Sequence, residues 1–301
     1  MSKRKVPHSI GAIIRHYLKT GEDSSQAEMQ YKPPYSHPTK EELLAALSEE
    51  VRKRERDRPR ATLPSGIDPL ALARTKAAPI ARGLFPAVER EPVQRLLEQS
   101  VLFLSADNIH QVITSARWLS TAWRVANIYL DSIDAEPLGN GDCEAVGMGE
   151  ETTSYVSLKY FTDKDPFADY VVHEMAHVFH NWKRVRIGLR EIRYHEFLLN
   201  IKFAKREMFA FACEVYSRIL ELARSPRERP QLLERFRRES PIAGTGKERE
   251  ELLQILSYAV AARNGWKRIL EKCLADRPKR WVDILPLSPP AKPPVEPGSL
   301  P

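Results

Sequence analysis

Cysteine is scarce in this chain of 301 residues. Only Cys143, Cys213 and Cys273 occur, far apart and without a C-x-x-C pair. This argues against a secreted disulfide framework and offers no cysteine pair at metal-binding spacing. Long apolar runs are missing too, and none reaches the length needed to span a bilayer. The basic stretch 1–21 has no long apolar segment and no small-residue cleavage site, so it does not read as a signal peptide. There is no internal repeat and no recognised nucleic-acid-binding motif. From these absences the expectation is a soluble, cytoplasmic protein with no membrane partner.

Basic charge and proline are present in excess. The net charge is +7 and the pI about 9.2, which permits nucleic acid as a partner without any motif to support it. The cluster Arg52–Arg58 is interleaved with acids and reads as a solvated face. The 23 prolines gather toward the two ends. Composition therefore suggests three parts: a flexible N-terminal region over 1–87, a folded domain over 88–284, and a proline-rich tail over 285–301.

Within the first part, 39–55 reads as a helix. Thr39 caps it, Glu42 completes a capping box, and Leu43, Leu44 and Leu47 form its apolar stripe. The stretch 58–86 reads as irregular chain or short helical pieces. In the domain, 93–104 and 106–126 have helical spacing, the second behind a cap at Asp107. Then 142–149 is a strand candidate, and 154–161 alternates Tyr155, Ser157 and Lys159 against Val156, Leu158 and Tyr160, a strand with two different faces. Asp165-Pro166 opens a helix with proline at its first position. Residues 202–223 form another, and 247–275 one or two more, with a break near Asn264-Gly265.

The helix after Pro166 carries "VVHEMAHVFH", residues 171–180. Residues four apart share one helical face, about 6 Å apart along the axis. His173 and His177 can thus aim imidazole nitrogens at one ion, and Glu174 can reach a water in its open coordination position. Chance produces H-E-x-x-H in roughly one chain in a hundred at ordinary residue frequencies. The filling residues Val171, Val172, Met175, Ala176, Val178 and Phe179 are apolar, as a core helix requires. A plain amphipathic helix with surface histidines is the simpler alternative.

This motif, preceded by a strand and followed by a glutamate-bearing helix, resembles the zincin metallopeptidases over roughly residues 140–222. The resemblance implies an α+β fold: a short β-sheet whose edge strand flanks the active-site helix, mostly helical otherwise. It also implies a bound Zn2+, a protein or peptide substrate, and Glu174 as general base. The strand lining the cleft and pairing with the peptide corresponds to Tyr155–Tyr160.

A catalytic zinc site uses three protein ligands and one open position. The glycine-then-histidine continuation of the metzincins is absent. His180 lies about 10 Å along the axis from His173, too far to share the ion. His195 and Glu214 are candidates, and His195 or Tyr194 could instead stabilise an oxyanion. Glu207 is preferred: it opens the apolar run 208–213, and Glu207-Met208-Phe209-Ala210 resembles the third-ligand segment of the glutamate-type zincins, the gluzincins. Their usual aspartate one turn beyond the ligand is replaced by Phe211. Glu214 is then left to orient a ligand histidine.

The functional expectation is a zinc-dependent peptidase with Glu174 as base and His173, His177 and Glu207 as metal ligands. The alternative is a catalytically inactive or regulatory binding protein on a zincin scaffold, for which nucleic acid is one candidate partner.

Overall fold

The structure is a computed structural model, which describes residues 9–22, 37–139, 147–150, 153–191, 196–241 and 246–275. Its helices are α1 (Ile10–Thr20), α2 (Lys40–Glu55), α3 (Pro69–Leu84), α4 (Ala87–Ser100), α5 (Ile109–Ser115), α6 (Leu119–Ser132), α7 (Tyr170–Asn181), α8 (Arg206–Leu222), α9 (Arg229–Glu239), α10 (Gly246–Ala261) and α11 (Gly265–Cys273). The strands are β1 (Val101–Phe103), β2 (Gly147–Glu150) and β3 (Thr153–Val156). The class is α+β, mostly helical with a small sheet. None of the described helices is long and apolar enough to cross a membrane.

β3 lies in the middle of the sheet, parallel to β1 and antiparallel to β2. Alternating residues send the two faces into two cores. Phe103 and Val156 join a core with α3, α4, α7, α8 and the C-terminal helices, while Leu102 and Tyr155 join one built from α1, α2, α5 and α6.

Several expectations hold in detail. The capping box of α2 forms, with Glu42 N–H donating to Thr39 Oγ1 at 3.2 Å and Thr39 N–H to Glu42 Oε2 at 2.7 Å. The break near Asn264 separates α10 from α11, and Asn264 caps α11.

Others are corrected. The stretch 58–86, expected as irregular chain or short helical pieces, holds one long helix: α3 occupies most of it, started by Asp68 as cap and Pro69 in its first turn. Ala73, Ala77, Ile80 and Ala81 are buried in the same core as α7 and α8, so packing crosses the boundary that composition suggested at 87. The expected helix over 106–126 is two, α5 and α6, parted at Ala116–Trp118. Residues 101–103, expected as helix, form β1. The strand expected over 154–161 ends at Val156, because the Ser157 hydroxyl accepts from Lys159 N–H and starts a 3-10 turn over Leu158–Phe161. β3, paired on both sides, is no edge. The edge strand beside α7 is β2. The motif helix starts at Tyr170 rather than Pro166, because Asp169 caps it, its side chain accepting from Val172 N–H at 3.2 Å.

Candidate metal centre

α7 presents two faces. Val171, Val172, Met175, Ala176, Val178 and Phe179 are buried in the core and anchor the helix. His173 and His177, one turn apart, turn toward the first turn of α8, where Glu207 stands. His173 Nε2 and His177 Nε2 are 3.2 Å apart, and Glu207 Oε2 lies 3.7 Å from the first and 3.6 Å from the second. Zinc bonds of 2.0–2.1 Å in a tetrahedron put neighbouring ligand atoms about 3.4 Å apart. The three atoms thus make one face of such a tetrahedron, with a point about 2 Å from each where a metal ion fits. Among the described residues these three form a group able to hold a metal ion. Glu207 is largely exposed and closes the site from the solvent side.

Each imidazole is oriented from behind. Glu214 Oε2 is 3.0 Å from His173 Nδ1, so that nitrogen donates and Nε2 is left to face the ligand point. Glu214 Oε1 also accepts from Asp169 N–H at 2.8 Å, tying α8 to the start of α7. Asp169 Oδ2 is paired at 2.6 Å with the buried ammonium of Lys76, which reaches Glu221 at 2.7 Å. Three helices, α3, α7 and α8, are thereby held in register behind His173. His177 Nδ1 is 3.3 Å from His180 Nε2. His180 is therefore not brought to the ligand point but stands behind His177. Phe211, at the position of the missing aspartate, meets the His173 ring edge to face with centroids 4.7 Å apart, and the orienting carboxylate comes one turn later, from Glu214.

The electrostatics favour a cation. Burial by itself lowers the His173 pKa, but Glu207 and Glu214 outweigh it and push it up to about 10. The surrounding carboxylates demand positive charge at this point, which a divalent ion supplies as a proton does. His177 is lowered to about 4, by burial first and then by the charge of His173. His180 is lowered to about 3, by burial, His177 and Arg206. Both stay neutral, the form a metal ligand and its partner need.

Glu174 is buried, and its Oε2 has no partner. Burial raises its pKa to about 7, the attraction of His173 opposing and the charges of Glu207 and Glu214 adding. β2 presses directly on this side chain. A Cβ on Gly147 would come within 2.8 Å of Glu174 Oε1 and 2.9 Å of Cγ. Only glycine allows that approach.

The structure brings His173, Glu174, His177, Glu207 and Glu214 together. His195 and Tyr194 lie outside the described residues, as does Cys143. Sequence reasoning missed Gly147, Lys76, Asp169 and Arg206. Asp169 had a signal, an aspartate four residues before His173 at capping distance. Lys76 had a weaker one, a lone lysine among Ala73, Ala77 and Ile80. No family model, curated protein or solved structure matches the chain.

Proposed function

We propose that the protein is a zinc-dependent peptidase of gluzincin type, with His173, His177 and Glu207 as metal ligands and Glu174 as general base. The observation that carries this reading is the triangle of ligand atoms, with sides of 3.2, 3.6 and 3.7 Å, beside a buried carboxylate that has one oxygen free. A purely structural metal site has no use for such a group. The donor set of two neutral imidazoles and one carboxylate suits Zn2+ and leaves one position open.

Zinc bound there supplies a Lewis acid that acidifies water and polarises a peptide carbonyl. The chain's own residues do the rest. Glu174 accepts the water's proton on its free oxygen and passes it to the departing amine. Burial, which by itself raises the Glu174 pKa, favours the uptake of that proton. Glu214 and His180 keep the two imidazoles turned so that each Nε2 lone pair stays on the ligand point. β2 closes the site behind Glu174 and limits water there.

The test is Glu174→Gln, which keeps size and shape but cannot take a proton. Wild-type protein loaded with zinc should cleave members of a peptide mixture, read by mass spectrometry, and the variant should bind equal zinc and be slower by about 10²–10⁴-fold. Equal turnover by the two proteins would remove Glu174 from the reaction.

A further inference from the structure

Arg206, the first residue of α8, precedes the ligand Glu207. It is half-buried, and its Nε is enclosed without a hydrogen-bond partner. Its neighbours among the cations are paired: Lys76 with Asp169, Lys205 with Glu251, Arg184 with Glu89. Among the described residues no carboxylate lies within ion-pair distance of Arg206. What it does touch is the ring of Phe203, over which its guanidinium carbon sits 5.1 Å from the centroid. Phe203 is itself 82% exposed, on the 3-10 turn that leads into α8.

Its charge acts on His177 and His180. The opposite end of the site, behind His173, is closed by Glu214, Asp169 and Lys76. Arg206 thus stands next to the ligand Glu207 at the start of α8, with an apolar plate beside it.

A guanidinium partly withdrawn from water and left without an anion is costly. Its five donors fit a carboxylate in a two-bond fork. The carboxylates nearest in function are engaged: Glu207 faces the two histidines, and Glu214 holds His173 and the Asp169 amide.

We infer that Arg206 is a substrate-binding residue, the receptor for a carboxylate of the bound peptide, with the Phe203 ring flanking it. The substrates are then peptides that carry a negative charge at a fixed distance from the bond cleaved. The carboxylate is either an acidic side chain or the peptide's own C-terminus. This inference rests on the peptidase reading above and adds the substrate class to it. An alternative role for Arg206, steadying charge that develops during the reaction, would affect neutral and acidic peptides alike.

Equilibrium binding separates these. Zinc-loaded Glu174→Gln protein, which does not consume its ligand, is titrated with four fluorescent peptides of one neutral sequence. Two differ only in a C-terminal acid or amide, and two only in an internal glutamate or glutamine. The expected result is binding about 10- to 100-fold tighter for one acidic member than for its neutral partner. Which pair shows the difference identifies the source of the carboxylate. Adding Arg206→Gln should shrink the preference to within a few-fold and leave the neutral peptides' affinity in place.

A preference that survives Arg206→Gln overturns the inference. So do equal affinities within both pairs, uniform weakening of all four peptides by the substitution, or no measurable binding of any. Zinc content of the same samples keeps the two claims apart. Protein without zinc removes the metal reading and this one with it, whereas zinc present with no charge preference removes only this one.

Discussion

The two carboxylates nearest His173 do different work. Glu207 Oε2 faces both Nε2 atoms, so it shares the ligand point, while Glu214 touches only Nδ1, on the far side of the ring. Glu207→Ala should remove a ligand and weaken zinc binding beyond the 10–100-fold typical of losing an orienting partner. Glu214→Ala should fall within that range. Competition against a chromogenic chelator measures both. A Glu207→Ala protein with wild-type affinity would reassign the third ligand. Both glutamates flank an apolar run, and that was legible. Which one turns toward the histidines depends on the docking of α8 on α7, which no local pattern records. Phe211 shows the same limit: it reads as a missing carboxylate, yet Glu214 supplies one from the next turn.

At the scale of elements, the site depends on how α3, α7, β2 and α8 meet. Lys76 and Asp169 form a buried pair at 2.6 Å. Removing one partner leaves the other charged and unpaired. Lys76→Met should therefore destabilise the protein by about 3–5 kcal/mol in denaturant unfolding. Combining it with Asp169→Asn should recover part of that, since the neutral cap still accepts from Val172 N–H. A cost under about 1 kcal/mol for Lys76→Met would mean that the pair does not hold α3 to α7.

Gly147→Ala should do something different. The three atoms nearest the added methyl all belong to Glu174, and none to a ligand residue. Zinc affinity should stay within a few-fold while peptide hydrolysis falls at least tenfold. Loss of zinc by this variant would place β2 against the ligands instead. α3 was hard to read because Pro79 lies inside it and Lys76 lies on its apolar face, two features that argue against a buried helix. α2 was easy because its capping box is local. The edge role passed to β2 for a non-local reason: β1, from fifty residues earlier, pairs with β3 and takes its free side.

For the whole molecule, the proposed metal site should couple metal, pH and folding. Without metal, His177 and His180 have folded pKa values of about 4 and about 3 against 6.5 unfolded. The unfolded chain binds more protons in that window, so their contribution is present above pH 6.5 and is lost on acidification. Glu174, raised to about 7 from 4.5, opposes them over part of the same range. His173, raised to about 10 from 6.5, contributes stability that is full below pH 6.5 and lost as pH rises toward 10. Chelator-treated protein should therefore be most stable near pH 6–7 and decline on both sides.

On the zinc reading, the ion should replace the proton on His173 and remove the alkaline decline. The gain in melting temperature on adding zinc should grow from pH 6.5 to 9, reaching several degrees at a hundredfold excess over the dissociation constant. A gain that shrinks over that range would contradict the assignment of His173. The second core, around α1, α2, α5 and α6, contains none of these titrating residues.

On the proposed reading His173, His177 and Glu207 hold one zinc ion. Elemental analysis of purified protein, wild type beside the His173→Ala/His177→Ala double variant, tests it most directly. Wild-type protein should carry about one zinc per chain and the variant almost none. Wild-type protein that takes up no zinc when it is offered, or a double variant that retains the wild-type amount, would contradict it.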